Sequence, residues 1–495
     1  MATVEAHRVR AGRGTELGLI AVALVIAVAA YALVGLGATD ELPADVLGYG
    51  AGMAGLALLV HVVLRWRAPY ADPVILPVVI ALNGIGLAMI YRIDLAREAR
   101  GGTEMFAGKQ LAWSAISVVL ACALLVVLRD HRTLRRYTYT AMVAALVLLV
   151  LPLVPGLGVE INGARIWIRA LGFSLQPAEL AKIALAVFFA GYLVTHRDTL
   201  ALAGPKVLGL QLPRLRDLGP IAVVWAASIA LLVFQRDLGT SLLLFGLFVA
   251  MLYVATERLS WIIIGLVMFG GGVALAASSF GHVAARFHIW LHALDQDVFD
   301  RAPGGSGQLV RGLFGLASGG LFGTGWGQGR PDLVPFAESD FIVASLGEEL
   351  GLTGLMAILV MYLVLSQRGL RTAIGVRDGF GKLLAAGLAF VIAFQCFVVV
   401  GGITRIIPLT GLTTPFLAYG GSSLLANWLI AALLLRISDD ARRPAPELSG
   451  PLPATPAGGI PLDDEVVAPV RVAGAAPTDD QPTERLRRTS GGGAA

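Results

Sequence analysis

Apolar residues gather in runs of about twenty, at 17–37, 47–65, 73–92, 108–128, 135–154, 178–194, 218–234, 238–255, 259–279, 339–366, 379–402 and 412–436. A helix needs about 20 such residues to cross the hydrocarbon of a bilayer, so the pattern predicts twelve transmembrane helices. The shortest runs are 178–194 and 218–234, and only Gln235-Arg236-Asp237 divides the second of these from 238–255. The first run follows Arg8, Arg10 and Arg13, as in a signal peptide. Its apolar core is too long for one and no cleavage site is evident, so it reads as an uncleaved helix.

The polar positions between the runs set an orientation. With the N-terminus taken as cytoplasmic, the segments on that side carry twenty Arg and Lys residues and the opposite connections eleven, over greater length. The positive-inside rule then places both termini in the cytoplasm. The longest connection, 280–338, falls outside the membrane and is rich in Gly, Asp and aromatic residues, with Leu313–Leu321 suited to a short amphipathic or re-entrant piece. Loops of this length in compact architectures are usually functional. From about residue 438 the chain turns to Pro, Ala, Gly, Thr and Asp without periodicity, the pattern of a disordered cytoplasmic tail. Its Arg485-Leu-Arg-Arg-Thr-Ser490 resembles a basic phosphorylation site or a lipid-headgroup contact, and an inert tail accounts for it more simply than either.

Composition narrows the class further. The 495 residues are 56% hydrophobic and 15% charged, against about 25% charged in ordinary globular chains, and the mean hydropathy is +0.76. That excludes a soluble enzyme, a secreted disulfide scaffold and a nucleic-acid-binding protein. Only four of the 38 cations are lysine, and the net charge of +4 is first an orientation signal. Cys122 and Cys396 lie in apolar runs and read as small hydrophobes.

Candidate chemistry rests on ionisable groups that membrane burial makes costly, at about 2.5–3.5 kcal/mol each. Glu179 and Lys182 stand three apart on one face of a helix opened by Pro177, placed to neutralise each other as a structural pair or to face a ligand. Arg165 and Trp167 set a cation beside an interfacial aromatic, an ordinary belt pattern. In the outer connection Asp295, Asp297 and Asp300 cluster between Arg286, His292 and Arg301, where they could act as a general base, hold a divalent cation, or simply form a solvated turn. The glycine-rich stretches around 304–308 and 318–329 permit tight turns but lack the strand and the Gly-Lys-Ser/Thr of a nucleotide loop. Glu338-Ser339-Asp340 predicts an N-cap for a helix that carries Glu348 and Glu349.

Six motifs then come in order: Gly163-Ala-Arg-Ile-Trp167, Gln176-Pro-Ala-Glu-Leu-Ala-Lys182, Arg236-Asp-Leu-Gly-Thr240, Ser339-Asp-Phe-Ile342, Gly347-Glu-Glu-Leu-Gly351 and Pro415-Phe-Leu-Ala-Tyr-Gly-Gly-Ser-Ser423. Together, over about 73–437, they resemble the SEDS family of RodA, FtsW and SpoVE, and Ile407–Pro415 is most similar to the actinobacterial RodA branch. The resemblance implies an all-α polytopic fold with a ten-helix core beginning at 73–92, so that 17–72 holds two added helices after a cytoplasmic segment 1–16. It implies a peptidoglycan glycosyltransferase that polymerises lipid II at the outer face, for elongation and rod shape or for division. A class B penicillin-binding protein and other proteins of the wall-synthesis complex are the implied partners.

The family's essential loop Asp precedes a Gly-x-Gly-Tyr-Gln-like segment, which here reads Gly304-Gly-Ser-Gly-Gln308 without the Tyr. Counting from its two ends ranks Asp297 first, Asp300 second and Asp295 third. The chain departs from the family again at Arg236, where Pro is usual, and at Ala178, where Ser is usual. In the implied reaction that Asp takes the proton of an acceptor sugar hydroxyl, which attacks and inverts the donor anomeric carbon. The leaving undecaprenyl diphosphate calls for cations, drawn from Lys109, Arg165 and Arg286 or from a divalent ion such as Mg or Mn. Trp167, Glu179, Lys182, Gln308 and Asp340 complete the expected substrate-binding set. Two rival classes are a lipid II flippase or transporter, against which no convincing internal repeat is found, and a non-catalytic scaffold.

Overall fold

The computed structural model describes residues 12–444, apart from 162–163, 171–172, 202–205, 208–209, 212–225, 228–229, 231–233 and 302–303. Eight helices precede the long connection: α1 (Arg13–Thr39), α2 (Val46–Arg67), α3 (Ile75–Glu98), α4 (Ala107–Val127), α5 (Thr138–Val150), α6 (Pro177–Ala201), α7 (Leu238–Thr256) and α8 (Leu259–Ser279). The connection holds α9 (Gly281–Leu291), the single turn α10 (Gln296–Phe299) and α11 (Gly307–Gly319). Three helices follow it: α12 (Ile342–Gly375), α13 (Gly379–Ile403) and α14 (Gly421–Arg442). Among the described residues eleven helices are long and apolar enough to span a membrane. The expected span at 218–234 falls mostly outside the described residues, and the tail from 445 wholly so.

Burial separates an inner set of helices from an outer one. α3 and α14 are 89% and 94% buried along their apolar windows, whereas α1, α2 and α8 are 33%, 28% and 17% buried despite comparable or higher hydropathy. Exposed Val22, Val25, Leu47, Val62, Leu266 and Val267 mark apolar faces of the kind a bilayer covers. The first two helices pack on those that follow, α1 against α3 and α2 against α4. Three helix starts are set by carboxylates. Asp237 accepts from Thr240 N to open α7, Asp378 accepts from Gly381 N to open α13, and Asp94 of α3 reaches across to Phe106 N and Ala107 N at the start of α4.

Connections meet on two opposite faces. On the face that carries 280–341, here called the loop face, Arg97 pairs with Glu338 at 2.7 Å, Gln328 Nε2 donates to Gly37 O at 2.5 Å, and Trp290 Nε1 donates to Arg405 O at 3.0 Å. On the other, Tyr70 N donates to Asp439 at 2.8 Å, and His131 and Arg132 meet Asp378 and Asp440.

Two helices differ from the sequence expectation, α12 at two points and α14 at its start. The helix expected to open on Ser339 and Asp340 begins at Ile342, with Phe341 at the N-cap position and no side-chain cap. Glu338 is held elsewhere, its carbonyl by Tyr419 N at 2.7 Å and its carboxylate by Arg97, so 338–340 cannot join the helix. Within α12 Gly351 adopts φ 68°, ψ −173°, breaking the run, because Leu352 N and Thr353 N donate to the carbonyls of Gly320 and Leu321. The run expected at 412–436 is helical only from 421; the preceding stretch is irregular, with Phe416 at positive φ and Pro415 shortly before Gly420.

The connection before α6 also carries a small antiparallel sheet that periodicity did not reveal. Its strands β1 (Gly158–Ile161), β2 (Ala164–Ala170) and β3 (Phe173–Leu175) are in the order β1-β2-β3. Val159 faces Trp167, and Ile168 faces Leu175. A two-stranded pair, β4 (Lys206–Val207) and β5 (Leu210–Gln211), follows α6.

Candidate active site

The loop connection folds into a small unit of its own. Ser306 Oγ donates to Ala293 O at 2.6 Å and Ser306 N to Val298 O at 3.0 Å. Ala293, Leu309 and Val310 form its apolar centre with Phe299 and Leu313. Gly305 lies so close to this turn that a Cβ would stand 2.3 Å from Arg301 O, which accounts for glycine in Gly304-Gly-Ser-Gly-Gln308. Gln308 is half-buried on α11. Arg405 ties the unit down by donating to the carbonyls of Trp290 and Leu291, each at 2.8 Å.

Asp295, Asp297 and Asp300 stand exposed at the tip of that unit. His292 Nδ1 lies 3.0 Å from Asp295, and Gln296 Nε2 donates to Asp300 at 2.7 Å. Asp297 makes no hydrogen bond or ion pair among the described residues. Its carboxylate is therefore the one of the three with every lone pair open to an incoming hydroxyl.

A polar cluster draws together five segments: Gln176, Asp237 with Thr240, Arg286, Asp340, and the carbonyls of Leu409 and Thr410. Asp237 is buried and accepts from Thr240 N at 2.9 Å, Thr240 Oγ1 at 2.6 Å and Gln176 Nε2 at 3.2 Å. Arg286, on α9, donates to Leu409 O at 3.2 Å and Thr410 O at 3.3 Å. Burial pushes the Asp237 carboxyl up, against the Thr240 hydrogen bonds and the charge of Arg286. Burial, then repulsion from Glu338 and Asp237, pushes Asp340 up to about 7, with Arg286 opposing. Burial lowers Arg286 while Asp237 and Asp340 raise it, and the guanidinium remains charged.

Glu179 and Lys182 meet at 2.6 Å, both buried. Lys182 Nζ also donates to Gln395 Oε1 at 2.9 Å and Asn427 Oδ1 at 3.4 Å, so the ammonium ties α6 to α13 and α14. Gln395 Nε2 in turn donates to Thr413 O at 2.8 Å, linking the pair to the stretch that also receives Arg286. The structure thus brings Glu179, Lys182, Arg286 and Asp340 to connected positions.

It does not bring Lys109, Arg165 or Trp167 there. Lys109 is exposed with Nζ 5.8 Å from the Phe106 ring, and Arg165 lies on the sheet 3.7 Å from Glu160, with Trp167 half-buried beside it. Among the described residues, the three convergent metal-type ligands are His131, Asp378 and Asp440, on the face opposite the loop. Arg132 already sits at 3.4 Å from Asp378 and 3.0 Å from Asp440 and supplies positive charge there, and among the described residues the loop face holds no such group of three ligands.

Spacing along the chain does not reveal that Asp237 belongs to this cluster, nor that Arg92 and Glu349 pair elsewhere at 2.8 Å, both buried. Charges within apolar runs were the available signal for both.

These features define a multi-pass, predominantly helical membrane protein with a buried polar cluster tied to the long connection through Arg286. The chain belongs to the family of FtsW, RodA and SpoVE: the family model, described as a cell cycle protein, matches residues 73–443. It is 49% identical over 434 residues to the peptidoglycan glycosyltransferase RodA of Mycobacterium tuberculosis, covering 87% of this chain and 92% of that one. It is 35% identical to a probable peptidoglycan glycosyltransferase FtsW of Trichlorobacter lovleyi, covering 75% and 94%. Among solved structures it resembles a chain of a peptidoglycan synthase complex that coordinates polymerization and crosslinking, with TM-score 0.58, 25% identity and coverage of 76% and 99%. The family match begins two residues before α3, so α1 and α2 lie outside the matched residues.

Proposed function

We propose that this chain is a peptidoglycan glycosyltransferase that polymerises lipid II at the outer face of the cytoplasmic membrane, in the elongation role of RodA. The observation that carries the reading is 49% identity with a named RodA glycosyltransferase across 87% of the chain. Asp297 takes the proton of the acceptor hydroxyl as that oxygen attacks the donor anomeric carbon; the glycosidic bond forms with inversion and the bond to the lipid diphosphate breaks. A diphosphate needs little protonation to leave, so the main demand is for positive charge, which Arg286 supplies from a partly enclosed position where it acts more strongly than in water. Asp340 and Gln308 would orient the sugars, and the Glu179–Lys182 pair would fix α6 beneath them. A class B penicillin-binding protein is the expected partner, in keeping with the synthase complex that the fold resembles.

Purified full-length protein with labelled lipid II tests this. Asp297→Ala should cut polymer formation by about a hundredfold or more, and Asp295→Ala and Asp300→Ala much less. Normal polymerisation by Asp297→Ala removes Asp297 from the role. Lipid scrambling in proteoliposomes without polymer would instead support the transporter reading.

A further inference from the structure

A cleft of about 400 Å³ opens on the loop face between two segments that the reaction above leaves unused. One wall is the end of α3 and its connection to α4, with Arg97, Arg100 and Glu104; the other is 331–337, with Asp332 and the apolar Val334 and Pro335. Arg97 pairs with Glu338 and Arg100 with Asp332, which fixes both guanidinium groups without covering them: their side chains stay 32% and 49% exposed. Glu104 is exposed and makes no hydrogen bond or ion pair among the described residues. The cleft therefore offers anchored guanidinium donors for a carboxylate, an open carboxylate for an ammonium, and apolar surface between them. That combination suits a zwitterionic peptide. The cleft also adjoins the candidate active site, since Ala337 lines it and Glu338 lies two residues before Asp340.

We propose that this cleft binds the peptide portion of the substrate, with a peptide carboxylate on Arg97 and Arg100 and a free amine at Glu104. The proposal rests on the reading given above, in which the sugars to be joined belong to a peptidoglycan precursor and so carry a peptide. Position favours it as well. The cleft and the candidate active site share the loop face and are joined through Glu338, which pairs with Arg97 and lies two residues before Asp340.

The test separates binding from catalysis. A soluble stem pentapeptide with a free side-chain amine is added to full-length protein in detergent, and saturation-transfer NMR reads its binding. Polymerisation kinetics are measured in parallel with intact lipid II and with lipid II whose amine is acetylated. Arg100→Ala and Glu104→Gln should each weaken peptide binding and raise KM for intact lipid II about fivefold to tenfold. Glu104→Gln should add nothing once the amine is acetylated, whereas a loss from general misfolding would persist. Glu104 is exposed, so its variant is expected to fold. Absent peptide binding, or variants that bind and turn over like the parent chain, overturns the cleft assignment even if the protein polymerises lipid II. Peptide binding lost in both variants supports the cleft even if no polymer forms, an outcome that would sink the glycosyltransferase reading alone.

Discussion

Asp340 sits close to half ionisation at neutral pH because burial and two neighbouring carboxylates hold its carboxyl at about 7, far above an ordinary aspartate near 3.9. The sign follows for stability and for activity. The folded protein keeps this proton to higher pH than the unfolded chain does, so the contribution to stability is greatest in acid, falls between about pH 4 and 7, and is level above that. If the ionised group accepts a hydrogen bond from a sugar hydroxyl, polymerisation rises through pH 7. Asp340→Asn should then lower turnover and flatten that limb of the profile, measured as initial rates between pH 5.5 and 8.5. An unchanged profile in Asp340→Asn would remove Asp340 from substrate contact. Asp297 differs in kind, since its exposed position leaves it free of hydrogen-bonding partners within the protein. A base needs that freedom, whereas Asp237, holding Thr240 and Gln176, has its acceptor sites occupied.

At the scale of elements, the turn at 325–329 is clamped between α1, α3 and α12. Glu349 accepts from Gly327 N at 2.9 Å, Gly329 N at 3.2 Å and Arg92 Nε at 2.8 Å, and Arg92 also donates to Gly329 O at 2.6 Å. Removing one partner of such a buried pair leaves a charge uncompensated, at a cost of about 3–5 kcal/mol. Arg92→Met should therefore lower the thermal midpoint sharply, and Arg92→Met with Glu349→Gln should recover part of the loss. From the other side, a Cβ on Gly37 would stand 1.9 Å from Trp326 O, a backbone atom with no room to yield. Gly37→Val should free the turn and speed its proteolysis, while Gly48→Val on α2, where nothing lies within 4 Å, should not. Equal proteolysis of the two variants would show that α1 does not seat the turn.

The same elements show what the sequence could and could not disclose. Apolar runs of span length were plain because the membrane imposes length and polarity on each segment independently. The ends of α12 and α14 were not, since residues 338–340 and 412–420 are shaped by partners far along the chain, as in Tyr419 N to Glu338 O. Lys182 could be paired with Glu179 by spacing, but Gln395 and Asn427, 213 and 245 residues away, leave no local trace. The sheet at 158–175 escaped because its strands are only three to seven residues long.

At the scale of the whole molecule, the chemistry demands a sidedness that the bundle permits and the charges select. Successive connections gather on two opposite faces, and the clamps at Arg405–Trp290 and Asp439–Tyr70 hold each face separately. With twenty cations on the side of the termini and eleven on the other, the loop face is the one predicted to lie outside. A polymerase of wall precursors must expose its acceptor site there, so orientation and function stand or fall together. The two native cysteines are buried, which leaves a quiet background for single-cysteine labelling. Leu157→Cys, exposed on the loop face, should react with an impermeant maleimide in intact cells, whereas Glu257→Cys, at the end of α7 on the opposite face, should react only after permeabilisation. The reverse pattern would put Asp297 and Arg286 on the cytoplasmic side, out of reach of an extracellular acceptor strand, and the outward-facing polymerase would have to be abandoned even with the family assignment intact.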